Sequence, residues 1–143
     1  MNAVFRAAAV AVLAAATACG GSDTPDVDVD AVMADALEAL ELSEVDDPEE
    51  VVSKDISYLA TTGVADGDVA DVADDARDAL DAAGFTVDDP VEVPGGLSIT
   101  ASRDGVTVSA AAYAQVGVNP APEGSSWVRV RAADNETNLA WTR

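Results

Sequence analysis

The sequence predicts an α+β domain in which about three amphipathic helices are followed by an antiparallel sheet of about four strands. Apolar residues recur at helical spacing in the first half of the chain, and apolar and polar residues alternate in the second half. The dipeptide Asp104-Gly105, favoured in two-residue hairpin turns, joins two of the alternating segments. One domain is expected over residues 30–143, because this length is enough to bury one modest core.

The stretch before this domain, residues 19–29, is rich in glycine, serine, proline and aspartate, and it is predicted to be a tether. The first helix is predicted over residues 31–42. Three apolar residues fall on one side of it: Met33, Leu37 and Leu40.

A second helix is predicted to begin at Asp47-Pro48-Glu49-Glu50. This segment has a capping residue, a proline at the first helical position and a glutamate placed to complete a capping box. Val52, Ile56 and Leu59 would then share one face, and Gly63 would end the helix.

The third helix has the clearest pattern in the chain, from a capping residue at Asp68 to a terminating Gly84. Its apolar stripe lies opposite an aspartate stripe. The aspartates of that stripe are Asp71, Asp74, Asp75, Asp78 and Asp81. Phe85 follows the glycine, where a Schellman cap would bring it onto Leu80.

The second half of the chain predicts strands. Closing the Asp104-Gly105 turn sets Ala101 opposite Val108 and Ile99 opposite Ala110, so that apolar residues share one face. The segments "WVRVRAA" and "TNLAWT" predict two further strands, joined by the turn residues Asp134 and Asn135. The helices are expected to pack on one face of this sheet.

The first eighteen residues are not expected to belong to the domain. Met1 to Arg6 carries a free amine and an arginine, and residues 7–18 form an uncharged, mostly apolar run. A bilayer span needs about 20 residues, so the shorter run is typical of a secretory signal. Small residues from Ala16 to Ala18 precede Cys19, the one cysteine of the chain.

This end of the chain resembles a bacterial lipoprotein signal, which ends in small residues and an invariant cysteine. The family usually has leucine three residues before the cysteine, where this chain has Ala16. The resemblance implies that Cys19 becomes the lipid-bearing N-terminus, anchored to the outer face of the bacterial cytoplasmic membrane; two acyl chains suffice for stable anchoring. The alternative is an ordinary secretory signal cut near Ala18, which would leave Cys19 as a free thiol.

The sequence offers little for catalysis. It contains no histidine, and its single lysine, Lys54, has no surrounding pattern typical of a nucleophile. The serines lie in no nucleophile or phosphate-binding motif. A hydrolase with two carboxylates stays open, but 27 acidic residues supply many pairs by abundance alone. We therefore expect no enzymatic activity and no cofactor.

The acidic clusters raise the alternative of a calcium site. An EF-hand loop needs glycine at its sixth position and glutamate at its twelfth, but a loop starting at Asp26 has Ala31 and Leu37 there. In the second cluster, Asp66 to Asp75, the spacing is that of a solvated helix face. No metal site is predicted, although an acidic cation-binding or spacer domain stays the alternative function.

A candidate ligand surface lies on the predicted sheet. Trp127, Arg129 and Arg131 alternate onto one face, and Tyr113 lies on the corresponding side of its own strand. Such a stripe could stack on a sugar ring or pair with an anionic group. The alternative is that Trp127 packs at an edge and the arginines pair with the chain's own carboxylates.

These observations favour a non-catalytic binding or interaction module that is exported and anchored through Cys19. A cell-wall polymer or another envelope protein is the expected kind of partner. Nucleic acid is not expected, because the net charge is −20 and the anchor places the domain outside the cytoplasm.

Overall fold

A computed structural model of the chain describes residues 27–53 and 56–134. Over these residues it has two helices, and the prediction of about three helices and about four strands is therefore wrong. The helices are α1 (Val29–Leu40) and α2 (Val69–Ala82). The strands are β1 (Glu49–Ser53), β2 (Ile56–Asp66), β3 (Thr86–Val87), β4 (Val91–Val93), β5 (Gly96–Arg103), β6 (Val106–Tyr113), β7 (Gln115–Val116), β8 (Asn119–Pro120) and β9 (Ser125–Asp134).

Seven of the described strands form one antiparallel sheet, which makes the fold mostly sheet. The strands run in the order β1-β2-β9-β6-β5-β3, and β4 also pairs with β5. The short strands β7 and β8 pair separately with each other. The sheet is not confined to the second half of the chain, because β1 and β2 lie between the two helices.

The predicted second helix is instead the hairpin of β1 and β2, in which Val51 lies opposite Tyr58. The spacing of apolar residues allows a helix, but the β-branched and aromatic residues of this segment favour strands. Val52 illustrates the error, since it pairs with Ser57 and is 69% exposed instead of facing the core. Pairing with β9 places β2 inside the sheet.

The predicted helix between Asp68 and Gly84 is confirmed as α2. The Asp68 side chain accepts a hydrogen bond from the Asp71 backbone N–H at 2.9 Å. Gly84 has a φ of +95°, and the Phe85 N–H donates to the Leu80 carbonyl at 3.0 Å. This is the Schellman cap that the sequence predicts, and it brings Phe85 into the core.

The first predicted helix is confirmed as α1, with a boundary two residues earlier than expected. It begins at Val29, inside the stretch predicted to be a tether. The carboxylate of Asp28 accepts a hydrogen bond from the Ala31 N–H at 3.0 Å, which caps the helix. Asp28, which was predicted to be part of the tether, is therefore the N-terminal cap of α1.

The hairpin of β5 and β6 has the predicted register, with Ala101 opposite Val108 and Ile99 opposite Ala110. Asp104 and Gly105 both have positive φ values, as a type I′ turn requires. The predicted strand "WVRVRAA" is part of β9. The predicted strand "TNLAWT" and Asn135 of the predicted turn lie outside the described residues, while Asp134 ends β9.

Both helices pack on one face of the sheet, as predicted, and a single core lies between them and the strands. Met33 of α1 and Leu80 of α2 are fully buried there. The strand residues that complete this core include Ile99, Ala101, Val108, Ala110, Val128, Val130 and Ala132. The opposite face of the sheet has no described helix against it and carries the candidate ligand surface.

Candidate functional site

The four residues predicted as a ligand surface lie together on the sheet face opposite the helices. Strands β6 and β9 are neighbours, and their register sets Tyr113 opposite Trp127 and Ala111 opposite Arg129. Trp127, Arg129 and Arg131 alternate along β9 with core residues. The register makes these residues neighbours on one face of the sheet, and their role as a ligand surface stays a prediction.

Ring contacts organise this surface. The guanidinium carbon of Arg129 lies 5.9 Å from the centroid of the Tyr113 ring. The guanidinium carbon of Arg131 lies 6.0 Å from the Tyr58 ring centroid. Tyr58 was missed from the sequence because its segment was predicted to be helical. The four predicted residues and Tyr58 are partly exposed.

Trp127 is held in place by the β7–β8 hairpin. Its indole Nε1–H donates to the Asn119 carbonyl at 3.0 Å. The hydrogen bond fixes the orientation of the indole ring at one end of the surface. Trp127 also belongs to β9, which is paired with a strand on each side, and it is therefore not packed at a sheet edge. The Asn119-Pro120 segment gave no signal of this contact in the sequence.

The arginines of the molecule have different electrostatic surroundings. Arg103 forms ion pairs with Asp35 and Asp104, and Arg77 lies 3.9 Å from an Asp74 carboxylate oxygen. Arg129, by contrast, makes no ion pair with any residue that the structure describes. The alternative interpretation was that Arg129 and Arg131 pair with the chain's own carboxylates. Within the described residues this interpretation does not apply to Arg129.

A groove runs beside Arg129 toward the edge of the sheet. Its floor is made by small residues of β2, and its far wall is the segment that leads into β1. The lining residues are Asp46, Asp47, Glu49, Val51, Ala60, Thr61, Thr62 and Arg129. The Thr61 hydroxyl donates to the Asp46 carbonyl at 2.6 Å and fixes the wall against β2. The groove therefore carries both signs of charge.

A second cavity, of about 290 Å³, lies on the helix side where α1 ends against α2 and β2. Leu40, Leu42 and Val72 contribute apolar lining, and Glu41 and Asp75 contribute carboxylates. No lysine, arginine or cysteine is among the described residues that line it.

The acidic clusters form no metal site within residues 27–53 and 56–134. There, no group of three or more His, Cys, Asp or Glu side chains is placed to hold a metal ion. The aspartate stripe of α2 lies on the outer face of that helix, and each of its members is exposed. This is the arrangement of a solvated helix face.

Cys19, the predicted lipidation residue, and the predicted signal sequence before it lie outside the described residues. Neither described helix is long and apolar enough to cross a membrane. Comparison with known proteins found no family model, no curated protein and no solved structure that matches the chain.

Proposed function

We propose that this chain is an exported, lipid-anchored binding module of the bacterial cell envelope, without catalytic activity. The sheet face formed by Tyr113, Trp127, Arg129 and Arg131 is its ligand surface. The observation that carries the proposal is the arrangement of these side chains in one patch, on the face opposite the described helices.

Arg129 gives the patch its chemical character. The sequence has 27 acidic residues and seven lysines and arginines, and Arg129 is partly exposed without an ion pair among the described residues of this acidic molecule. A guanidinium backed by a tyrosine ring, with an oriented tryptophan on the same strand, suits recognition of a polar partner with ring or carboxylate groups.

The anchor is proposed on the signal residues that precede Cys19. A diacylglyceryl group there would hold the domain at the outer face of the cytoplasmic membrane. Replacing Cys19 by alanine in the full chain, expressed in a bacterium, should abolish incorporation of labelled palmitate and release the protein from the membrane fraction. Labelled protein that persists in the alanine variant would exclude this anchor.

The ligand surface is tested with a double variant, Trp127→Leu with Arg129→Gln, in the detergent-solubilised full chain. Sedimentation with purified bacterial cell walls should fall about tenfold or more if charge-assisted contacts are lost. The melting temperature should change little. Arg77→Gln is the matched control, because Arg77 lies on the outer face of α2 and should not affect sedimentation.

The alternative function is a charge-coated spacer, favoured by the exposed aspartates of α2. A spacer needs no specific face, so the double variant and the control would then sediment equally. Equal sedimentation would count against the binding function.

A further inference from the structure

We propose that the groove beside Arg129 binds a zwitterionic ligand of the amino-acid or short-peptide class. The ligand's carboxylate lies on Arg129, and its ammonium group lies on the acidic wall of the groove, which consists of Asp46, Asp47 and Glu49. This inference rests on the binding function proposed above and names the chemistry of its ligand.

The register of three strands sets the dimensions of the site. Glu49 of β1 lies opposite Ala60 of β2, and Thr62, two residues further along β2, lies opposite Arg129 of β9. Neighbouring strands are about 4.8 Å apart and residues rise about 3.4 Å along a strand, so Glu49 and Arg129 are separated by about 10 Å across the sheet and about 7 Å along it. Ala60 and Thr62 between them leave a floor of small side chains. The space fits an extended ligand with a charge at each end.

Arg129 supplies the site for the ligand's carboxylate. Its guanidinium has no ion-pair partner among the described residues, although Asp46, Asp47 and Glu49 line the same groove. Guanidinium binds carboxylate through two parallel hydrogen bonds. The ring of Tyr113, 5.9 Å from the guanidinium carbon, backs it from the side of β6.

The acidic wall selects the other end of the ligand. Arg129 is the single cationic residue that lines the groove within the described part of the chain. Three carboxylates along the wall would repel an inorganic anion or a polyanion and attract an ammonium group. Because these carboxylates do not converge on a metal position, an organic cation fits better than a metal ion.

The test uses the solubilised full chain and three probes of equal length: 6-aminohexanoate, hexanoate and hexylammonium. Isothermal titration at low salt should give binding of 6-aminohexanoate about tenfold or more tighter than either probe with one charge, since each lost contact is charge-assisted. Equal binding of hexanoate would mean a simple anion site, equal binding of hexylammonium would mean acidic attraction alone, and either result would overturn the proposal. Absence of binding by all three would overturn it as well.

Variants test which residues bind the carboxylate end and the ammonium end of the ligand. Arg129→Gln should weaken 6-aminohexanoate binding about tenfold, and Asp47→Asn with Glu49→Gln should do the same, whereas Arg77→Gln should leave it unchanged. Melting curves of each variant establish that it is folded. If 6-aminohexanoate fails to bind while cell-wall sedimentation still depends on Trp127 and Arg129, the zwitterion site is wrong and the binding function stands. If both fail, the face is not a ligand surface.

Discussion

The guanidinium carbon of Arg103 lies 4.6 Å from the centroid of the Phe85 ring. The same guanidinium donates from Nη1 to the Ala83 carbonyl at 3.1 Å, and it pairs with Asp35 of α1 and Asp104 of the β5–β6 turn. No basic residue lies in the last turn of α2, so this arginine of β5 supplies the positive charge that favours a helix C-terminus. One side chain thus connects both helices to the hairpin.

Replacing Arg103 by glutamine should lower the free energy of unfolding by about 1–3 kcal/mol, because it removes a cation–π contact, a helix-end hydrogen bond and two ion pairs. Arg77→Gln is the matched control, with ion-pair distances of 3.9 and 4.0 Å to exposed aspartates. It should cost less than about 0.5 kcal/mol. Urea denaturation of both variants measures the difference, and equal losses would contradict the role given to Arg103.

Val52 tests the corrected fold. As part of the edge strand β1 it is 69% exposed, so Val52→Ala should change the free energy of unfolding by less than about 0.5 kcal/mol. Val130 is fully buried, and Val130→Ala should cost about 2 kcal/mol through lost burial and a residual cavity. A large loss for Val52→Ala in urea denaturation would instead favour the helix that the spacing of apolar residues predicts.

Gly96 is required by close packing at the start of β5. A Cβ there would lie 2.0 Å from the Ala112 carbonyl oxygen and 2.9 Å from Tyr113 Cδ1. Gly96→Ala should therefore cost about 3 kcal/mol and displace Tyr113 from the ligand surface. Gly117→Ala is the comparison, since a Cβ at Gly117 meets no atom of the described residues within 4 Å and its expected cost is left-handed backbone strain, about 1 kcal/mol. Thermal and urea unfolding distinguish the two costs.

The excess of negative charge should make stability depend on salt. With a net charge of −20, the melting temperature should rise between about 0.01 M and 0.1 M sodium chloride, as the Debye length shortens from about 30 Å to about 10 Å. A melting temperature that is flat over this range would contradict the expectation.

Two variants on α2 separate the effect of the position of a charge from the general effect of salt on the melting temperature. Asp81 lies in the last turn and Asp71 in the first turn of the helix. Since a carboxylate is unfavourable at a helix C-terminus and favourable at its N-terminus, Asp81→Asn should raise the melting temperature at low salt more than Asp71→Asn does.

The elements that the sequence predicts correctly are those encoded locally. Asp68 and Gly84 mark both ends of α2, and Asp104-Gly105 fixes a hairpin whose register agrees with its apolar pattern. Each of these signals depends on a few neighbouring residues. The same is true of the alternation along β9 that places Trp127, Arg129 and Arg131 on one face.

The elements that were missed depend on distant partners. The segment with Val52, Ile56 and Leu59 fits helical spacing, and it becomes a hairpin through pairing of β2 with β9, far along the chain. Strands β3 and β4 have two and three residues, too few to show a period. Because β1 and most of β2 were predicted as one helix, Tyr58 and the acidic wall of the groove could not be placed beside the arginines.

The central position of β9 has a consequence for how the molecule folds. This strand begins at Ser125 and is the last of the described strands along the chain, yet it joins β2 to β6 and so connects the two parts of the sheet. The sheet therefore cannot close until β9 has been synthesised, and the long loops that must be closed slow folding. For the export proposed above this delay would be an advantage, because closure of the sheet in the cytoplasm would block translocation.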